Sequence, residues 1–209
     1  MAVNTVPTKG NLLTTKKSLE LSRVGYDLLD RKRNILIREM MMLIERATAI
    51  QDLIDSTYNN AYLALQRANI TLGICDEISK TVPVDDGLSI DFRSVMGVEI
   101  PMVALAETPL SMHYGINTTN EWLDGAFLAF TEVKKLTVQL AEVENSVYRL
   151  ANAIIKTQKR ANALKNIMIP RFEETVKFIS SALEEKDREE FSRLKVIKNK
   201  KTGKDAAPV

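Results

Sequence analysis

Residue types that carry enzymatic chemistry are few in this chain, and they do not converge. The only histidine, His113, falls in ETPLSMHYGIN, which reads as a loop, and neither a cysteine nor a Ser-centred elbow stands near it. It reads as a solvated loop histidine. The single cysteine, Cys75, excludes an internal disulfide and fits a reducing compartment. It reads as a small buried apolar thiol on a helix. With no Cys/His pair there is no zinc ligand set, and no Gly-rich phosphate loop of the G-x-x-x-x-G-K-[ST] form occurs. The carboxylate pairs Glu184–Glu185 and Glu189–Glu190 are flanked by Lys186, Arg188 and Arg193. That mixture reads as a solvated ion-pair surface rather than an acid–base pair. No catalytic residue, cofactor or metal is expected.

Charge is the more informative chemistry. The net charge is only +2, but it is unevenly placed. Residues 1–46 hold nine Lys/Arg against five Asp/Glu, residues 47–155 hold six against fourteen, and residues 156–209 hold fourteen against eight. Both ends are basic and the middle is acidic, which suits a nucleic-acid tail or a molecule with two different partners. Aromatic residues are not interleaved with the basic bands, so nucleic acid is not expected.

The elements that must carry these charges are long. Apolar residues make up 45% of the 209, enough for a core, while Gly totals 8 and Pro 6, so little punctuates the chain. No run of eighteen apolar residues occurs, which argues against membrane insertion, and MAVNTVPTKG lacks the apolar stretch of a secretory signal. From Asn11, which can serve as an N-cap, a stripe runs through Leu12, Leu19, Tyr26, Met40, Ala47, Ile54, Ala61 and Ala68. Thr15, Ser22, Leu29, Leu36, Leu43, Ile50, Thr57 and Ala64 accompany it. Steps of three and four sustained this long predict a coiled coil over residues 1–80. No proline interrupts Asn11–Lys80, and a helix of about 70 residues would be roughly 105 Å long. Its seam is thin, because Thr, Ser and Ala are common on it.

Period breaks in residues 81–118. TVPVDDG is a turn cluster, and Leu88, Ile90 and Phe92 then alternate with Ser89, Asp91 and Arg93. Val95–Gly97 can turn into a second extended segment, Val98–Leu105, where Pro101 confines the strand to an edge or bulge. A small β-hairpin results. A second long helix is predicted over residues 119–198, with Trp122, Ala126, Ala129, Val133, Leu136, Leu140, Val143, Val147, Leu150, Ile154, Thr157, Ala161 and Leu164 on its stripe. Ile167, Met168, Ile169, Phe172, Val176, Ile179, Leu183, Leu194 and Ile197 continue it, with a kink or break near Pro170. Residues 199–209 read as a disordered basic tail. The fold class is mainly α: two very long helices in an antiparallel coiled-coil hairpin, a short β-hairpin in the connecting region, one structural unit.

Two stretches resemble a known family. TQKRANAL…IPRF…FI…LEEKDREEFSRLKVIK, within Thr157–Lys200, is similar to the C-terminal signature of the D subunit of the V-type and archaeal A-type rotary ATPases. PTKGNLLTTKKSLELSRVGYDLLDRKRNIL, Pro7–Leu36, is similar to its N-terminal one. The resemblance implies a non-catalytic rotor axle on the cytoplasmic side, peripheral to the membrane. Its implied partners are the catalytic and non-catalytic A and B subunits of the ring, the F subunit of the stalk and the membrane-ring connecting subunit. Torque would pass between ATP hydrolysis or synthesis in the ring and proton or sodium translocation in the membrane sector. On that reading Arg31, Lys32, Arg33, Lys159, Arg160 and Lys165 are candidates for contact with carboxylates on the ring's inner wall. Leu88, Ile90, Phe92, Val98, Ile100 and Met102 are candidates for docking the F subunit, or else a cap folded back on the coiled coil. A prefoldin-like chaperone subunit shares the helix–hairpin–helix layout, and a coiled-coil tether fits the periodicity. The chaperone needs apolar helix tips, where this chain carries Lys9, Lys16, Lys17 and LEEKDREE.

Overall fold

The computed structural model describes residues 6–106, 113–115, 117 and 119–204. Helix α1 spans Lys9–Leu72 and a single-turn helix, α2, spans Asp76–Ser79. Strands β1 (Leu88–Val95) and β2 (Val98–Leu105) form a two-stranded antiparallel sheet. Helix α3 (Glu121–Ala163) runs into a five-residue π-helix, Leu164–Met168, and then into α4 (Ile169–Lys204). The described residues are mainly α with one β-hairpin, as the periodicity predicts.

Helix ends follow local chemistry more closely than the apolar stripe does. Thr8, not Asn11, caps α1: its Oγ1 accepts from the Asn11 N–H at 3.2 Å, while the Asn11 side chain donates to the Val6 carbonyl. The helix stops at Leu72 rather than Lys80. Gly73 takes the left-handed conformation, φ +82°, and its N–H closes on the Asn69 carbonyl at 3.0 Å. Cys75 therefore sits before α2 rather than within a helix, though it is buried. Asn120 caps α3, accepting from the Leu123 N–H at 3.2 Å, with Glu121 and Asp124 in the first turn. Residues 199–204, predicted as disordered, continue α4. A polar composition does not separate disorder from an exposed helix, and Lys200 and Lys201 suit a helix C-terminus. Residues 205–209 lie outside the described residues.

Packing groups these elements into two compact units, residues 32–156 and the remainder up to Arg31 and from Thr157 onward. In the first, α1 and α3 run antiparallel. Leu36 meets Leu150, Ile50 and Ile54 meet Val143, and Ala68 meets Leu123. Leu36 and Leu150 are fully enclosed, each side chain contributing on the order of 1.5–3 kcal/mol by burial. Ala61, Ala68 and Ala126 are also enclosed, so the thin seam predicted from the sequence is a seam of close approach. Ser146 is buried on α3 but bonds the Glu142 carbonyl at 2.7 Å, satisfying its hydroxyl within its own helix.

In the second unit the start of α1 pairs with the π segment and α4. Gly25 faces Leu164, with its Cβ position 3.8 Å from Leu164 Cδ1. The Lys165 ammonium lies 5.6 Å from the Tyr26 ring centre, and Arg23 bonds Glu173 at 2.6 Å. Thr157, Ala161, Thr175 and Ile179 are buried. Pro170 does not end the helix. It falls in the first turn of α4, where its missing N–H is tolerated, because the ladder has already shifted. The Ile169 N–H donates to the Leu164 carbonyl, five residues back. That shift corrects the predicted stripe: Ile167 is 62% exposed and Met168 is exposed, while Ile169 and Phe172 take the covered positions.

Candidate functional surfaces

The six basic candidates distribute over both units. Arg31, Lys159, Arg160 and Lys165 belong to the second unit and are exposed. Lys32 and Arg33 belong to the first and are half-buried. The Arg33 guanidinium is committed to the neighbouring Asn34 side chain, with Nη2 donating at 3.1 Å. Lys165 is drawn over Tyr26. Arg31, Lys159 and Arg160 show no ion pair among the described residues, so their charge is available to a partner. The carboxylates of the LEEKDREE run are exposed on α4, and Glu189 pairs with Arg193 at 3.6 Å, as a solvated ion-pair surface should. Phe191, Leu194, Val196 and Ile197 are exposed on the same stretch. Leu194 and Ile197 thus belong to the predicted stripe without being covered.

The hairpin is built by its turn. Val95 and Val98 pair across Met96 and Gly97, both left-handed with φ of 51° and 75°. This is the type I′ geometry whose twist matches paired strands. The turn makes Val95↔Val98 a hydrogen-bonded pair, and alternation assigns the same role to Arg93↔Ile100, Asp91↔Met102 and Ser89↔Ala104. The Ala106 N–H, bonded to the Gly87 carbonyl at 2.8 Å, extends the series. Phe92↔Pro101 is then a pair whose backbone groups point outward. Pro101 therefore removes no ladder bond, which is how it sits within a regular strand.

Alternation also divides the six apolar candidates. Leu88, Ile90 and Phe92 share a face with Pro101 and Val103, while Val98, Ile100 and Met102 share the other. Ile100 is 3% exposed and packs on Leu36 and Leu150, with Val98 and Val95 beside it. Arg93 on that side bonds Glu39 of α1 at 2.8 Å. Ile100 is therefore core rather than docking surface, and Val98 is half-buried against it. Leu88, Ile90, Phe92 and Met102 are exposed. The first three, with Pro101 and Val103, border an apolar groove of about 380 Å³ whose other wall is α3 from Thr137 to Arg149.

Sequence reasoning did not reach the α3 residues that hold the hairpin. Glu142 Oε2 accepts from the Val103 N–H at 2.9 Å. Arg149 donates to the Glu99 carbonyl at 3.3 Å and lies over the Phe92 ring, 5.3 Å from its centre. Their signal was charge on a helix face, indistinguishable from ordinary solvation. Nor did the stripe find the aromatic group on the same unit. Tyr58 stacks on Tyr62, which meets Phe130 edge-on, and Arg67 lies over Trp122. Trp122 is exposed, and Leu123 takes the buried place assigned to it. Near the start of α3, the Tyr114 hydroxyl donates to Asp124 at 2.7 Å. Burial, then the bond to Asp124 and its negative charge, push the Tyr114 pKa up to about 12. His113 is exposed, and among the described residues no helix is long and apolar enough to cross a membrane.

Comparison with known proteins supplies the family. The family profile of the ATP synthase D subunit matches residues 11–199. The D subunit of the V-type ATP synthase of Thermotoga neapolitana is 44% identical over 200 residues, covering 95% of this chain and 98% of the relative. The D subunit of the A-type ATP synthase of Thermococcus kodakarensis is 37% identical over 201 residues, 94% of each chain. That of Methanosphaera stadtmanae is 36% identical over 197 residues, 92% of each. The match runs through both long helices and the hairpin between them, and it disfavours the chaperone and tether readings. On these grounds the chain belongs to the family of ATP synthase D subunits.

Proposed function

We propose that this chain is the non-catalytic central-stalk subunit, the rotor axle, of a V-type rotary ATPase. It transmits torque between ATP hydrolysis or synthesis in a ring of A and B subunits and proton or sodium movement in the membrane sector. The observation that carries this reading is the family match along nearly the whole chain, laid over its long helices. Paired helices resist twisting, as a torque-bearing element must. The chain acts on the cytoplasmic side, peripheral to the membrane, with a connecting subunit joining it to the membrane ring.

Exposed Arg31, Lys159, Arg160 and Lys165, with Lys32 and Arg33, meet carboxylates on the inner wall of the ring. Leu88, Ile90, Phe92 and Met102 dock the F subunit of the stalk. A tagged pull-down from native membranes and cytosol tests the assignment. Recovery of two large nucleotide-binding subunits in equal amounts, three of each per copy of this chain, supports it. Recovery of unfolded clients or of a single scaffold partner overturns it. Deleting residues 88–105 tests the docking site, which fails if the F subunit binds undiminished.

A further inference from the structure

The two edges of the hairpin are treated differently. The outer edge of β2 is tied to α3. Its Val103 N–H goes to Glu142 at 2.9 Å, its Glu99 carbonyl to Arg149 at 3.3 Å, and its Pro101 carbonyl lies 3.5 Å from Ser146 Oγ. Pro101 has no N–H to satisfy. The outer edge of β1 has none of this. By the register, the N–H and C=O groups of Leu88, Ile90, Phe92 and Ser94 point away from β2. No described residue bonds them. Seven of the eight β1 residues are exposed, from Leu88 to Ser94.

Proteins ordinarily blunt such an edge with a lysine, a proline, a bulge or a covering segment. Here β1 is a regular eight-residue strand with Leu88, Ile90 and Phe92 at alternate positions. Its one basic residue, Arg93, is held by Glu39. A free row of donors and acceptors spaced for pairing selects an extended strand rather than a helix. The flanking charge selects further. Asp86 and Asp91 are exposed and have no ion pair among the described residues. Asp91 projects on the face opposite Leu88, Ile90 and Phe92.

We infer that β1 is a template for strand addition: a partner segment pairs along Leu88–Ser94 and makes the hairpin three-stranded. That segment alternates apolar side chains, set against Leu88, Ile90 and Phe92, with lysine or arginine set against Asp91. This rests on the reading of the hairpin as the docking site for the F subunit, and it names the mode of docking.

Residue-resolved amide exchange on the full chain, with and without the F subunit, tests it. In the free chain Asp91 and Arg93 are protected, while Leu88, Ile90, Phe92 and Ser94 exchange freely. Strand addition protects those four on binding. It also predicts that Ile90→Pro, which removes an outward donor, weakens binding about ten- to a hundredfold, as losing backbone bonds to a partner should. Ile90→Val, which keeps both donor and apolar side chain, binds within a fewfold of the parent, and Asp91→Lys binds more weakly. If the F subunit binds while the four amides exchange unchanged, strand addition is overturned and docking through side chains stands. If it binds and nothing in residues 88–105 changes, the docking site falls as well. The exchange pattern of the unmodified chain decides the matter even where a proline variant fails to fold.

Discussion

The Val103 N–H donates to Glu142 Oε2 at 2.9 Å, so one α3 carboxylate holds the outer edge of β2. Replacing Glu142 by alanine leaves a half-buried donor unsatisfied, a cost of about 1–3 kcal/mol. Glu142→Ala is expected to lower the denaturant midpoint and to speed exchange at Val103. Glu142→Gln keeps an accepting oxygen and recovers most of the loss. Equal behaviour of the two variants would mean that the carboxylate's charge, not this bond, secures the strand.

Met96 occupies a left-handed position that glycine or asparagine fills at lower cost. An ordinary side chain there costs roughly 1–2 kcal/mol. Met96→Gly and Met96→Asn should therefore raise thermal stability. A fall in Tm for both would show that the exposed methionine has a packing role that offsets its backbone strain.

Leu36, Ile100 and Leu150 form one cluster, so the hairpin and the two helices share it. Leu36→Ala and Leu150→Ala are each expected to cost about 2–5 kcal/mol, and Ile100→Ala a similar amount. Ile90→Ala, on the exposed face, should cost far less. Comparable losses at Ile90 and Ile100 in chemical denaturation would contradict the assignment of faces.

Tyr114 titrates near 12 in the folded chain against 10 for an ordinary tyrosine, through burial first and then Asp124. A raised folded pKa means that this contribution to stability is complete below pH 10 and is lost as pH climbs towards 12. Absorbance titration of the phenols should show one late component. Asp124→Asn removes the hydrogen-bonded negative charge and should move that component downwards. No movement would leave burial as the sole cause.

Reversing Arg31, Arg33, Lys159 and Arg160 to glutamate should impair assembly with the ring or coupled ATPase activity. The fold should survive, because Arg31, Lys159 and Arg160 are exposed. Unchanged assembly and coupling, with the far-UV signal intact, would reject these side chains as ring contacts.

Much of the helical pairing was legible because periodicity reports burial directly. Leu36, Ile50, Ile54, Ala61 and Ala68 lie on the predicted stripes and are buried, as are Val133, Val143 and Leu150. The hairpin was legible from alternation alone. Which of its faces is covered was not, since Ile100 and Ile90 obey the same local rule and differ only in having Leu36 and Leu150 nearby. Trp122 and Leu123 were interchangeable to the stripe, since Ala126 lies four residues after one and three after the other; Leu123 packs with Ala68 and Cys75, while Trp122 stays exposed beside Arg67. Arg149 and Glu142 were invisible for a different reason. Their roles depend on backbone groups of another element, which leave no trace in side-chain patterning.

The π segment has a consequence for the reading frame of α4. Covered positions in this unit step by three or four, but from Leu164 to Ile169 they step by five. The added residue turns everything after it by about 100° around the helix axis. Two lengths of sequence written in different phase thereby share one face, with Ala161 before the junction and Thr175 and Ile179 after it. Removing a single residue between Leu164 and Met168 would take out the insertion that the wide turn absorbs, giving a regular α-helix with Thr175 and Ile179 still covered. Rewinding Leu164–Met168 as α-helix with every residue kept would instead swing Thr175 and Ile179 out of cover and bring exposed neighbours such as Phe178 round in their place.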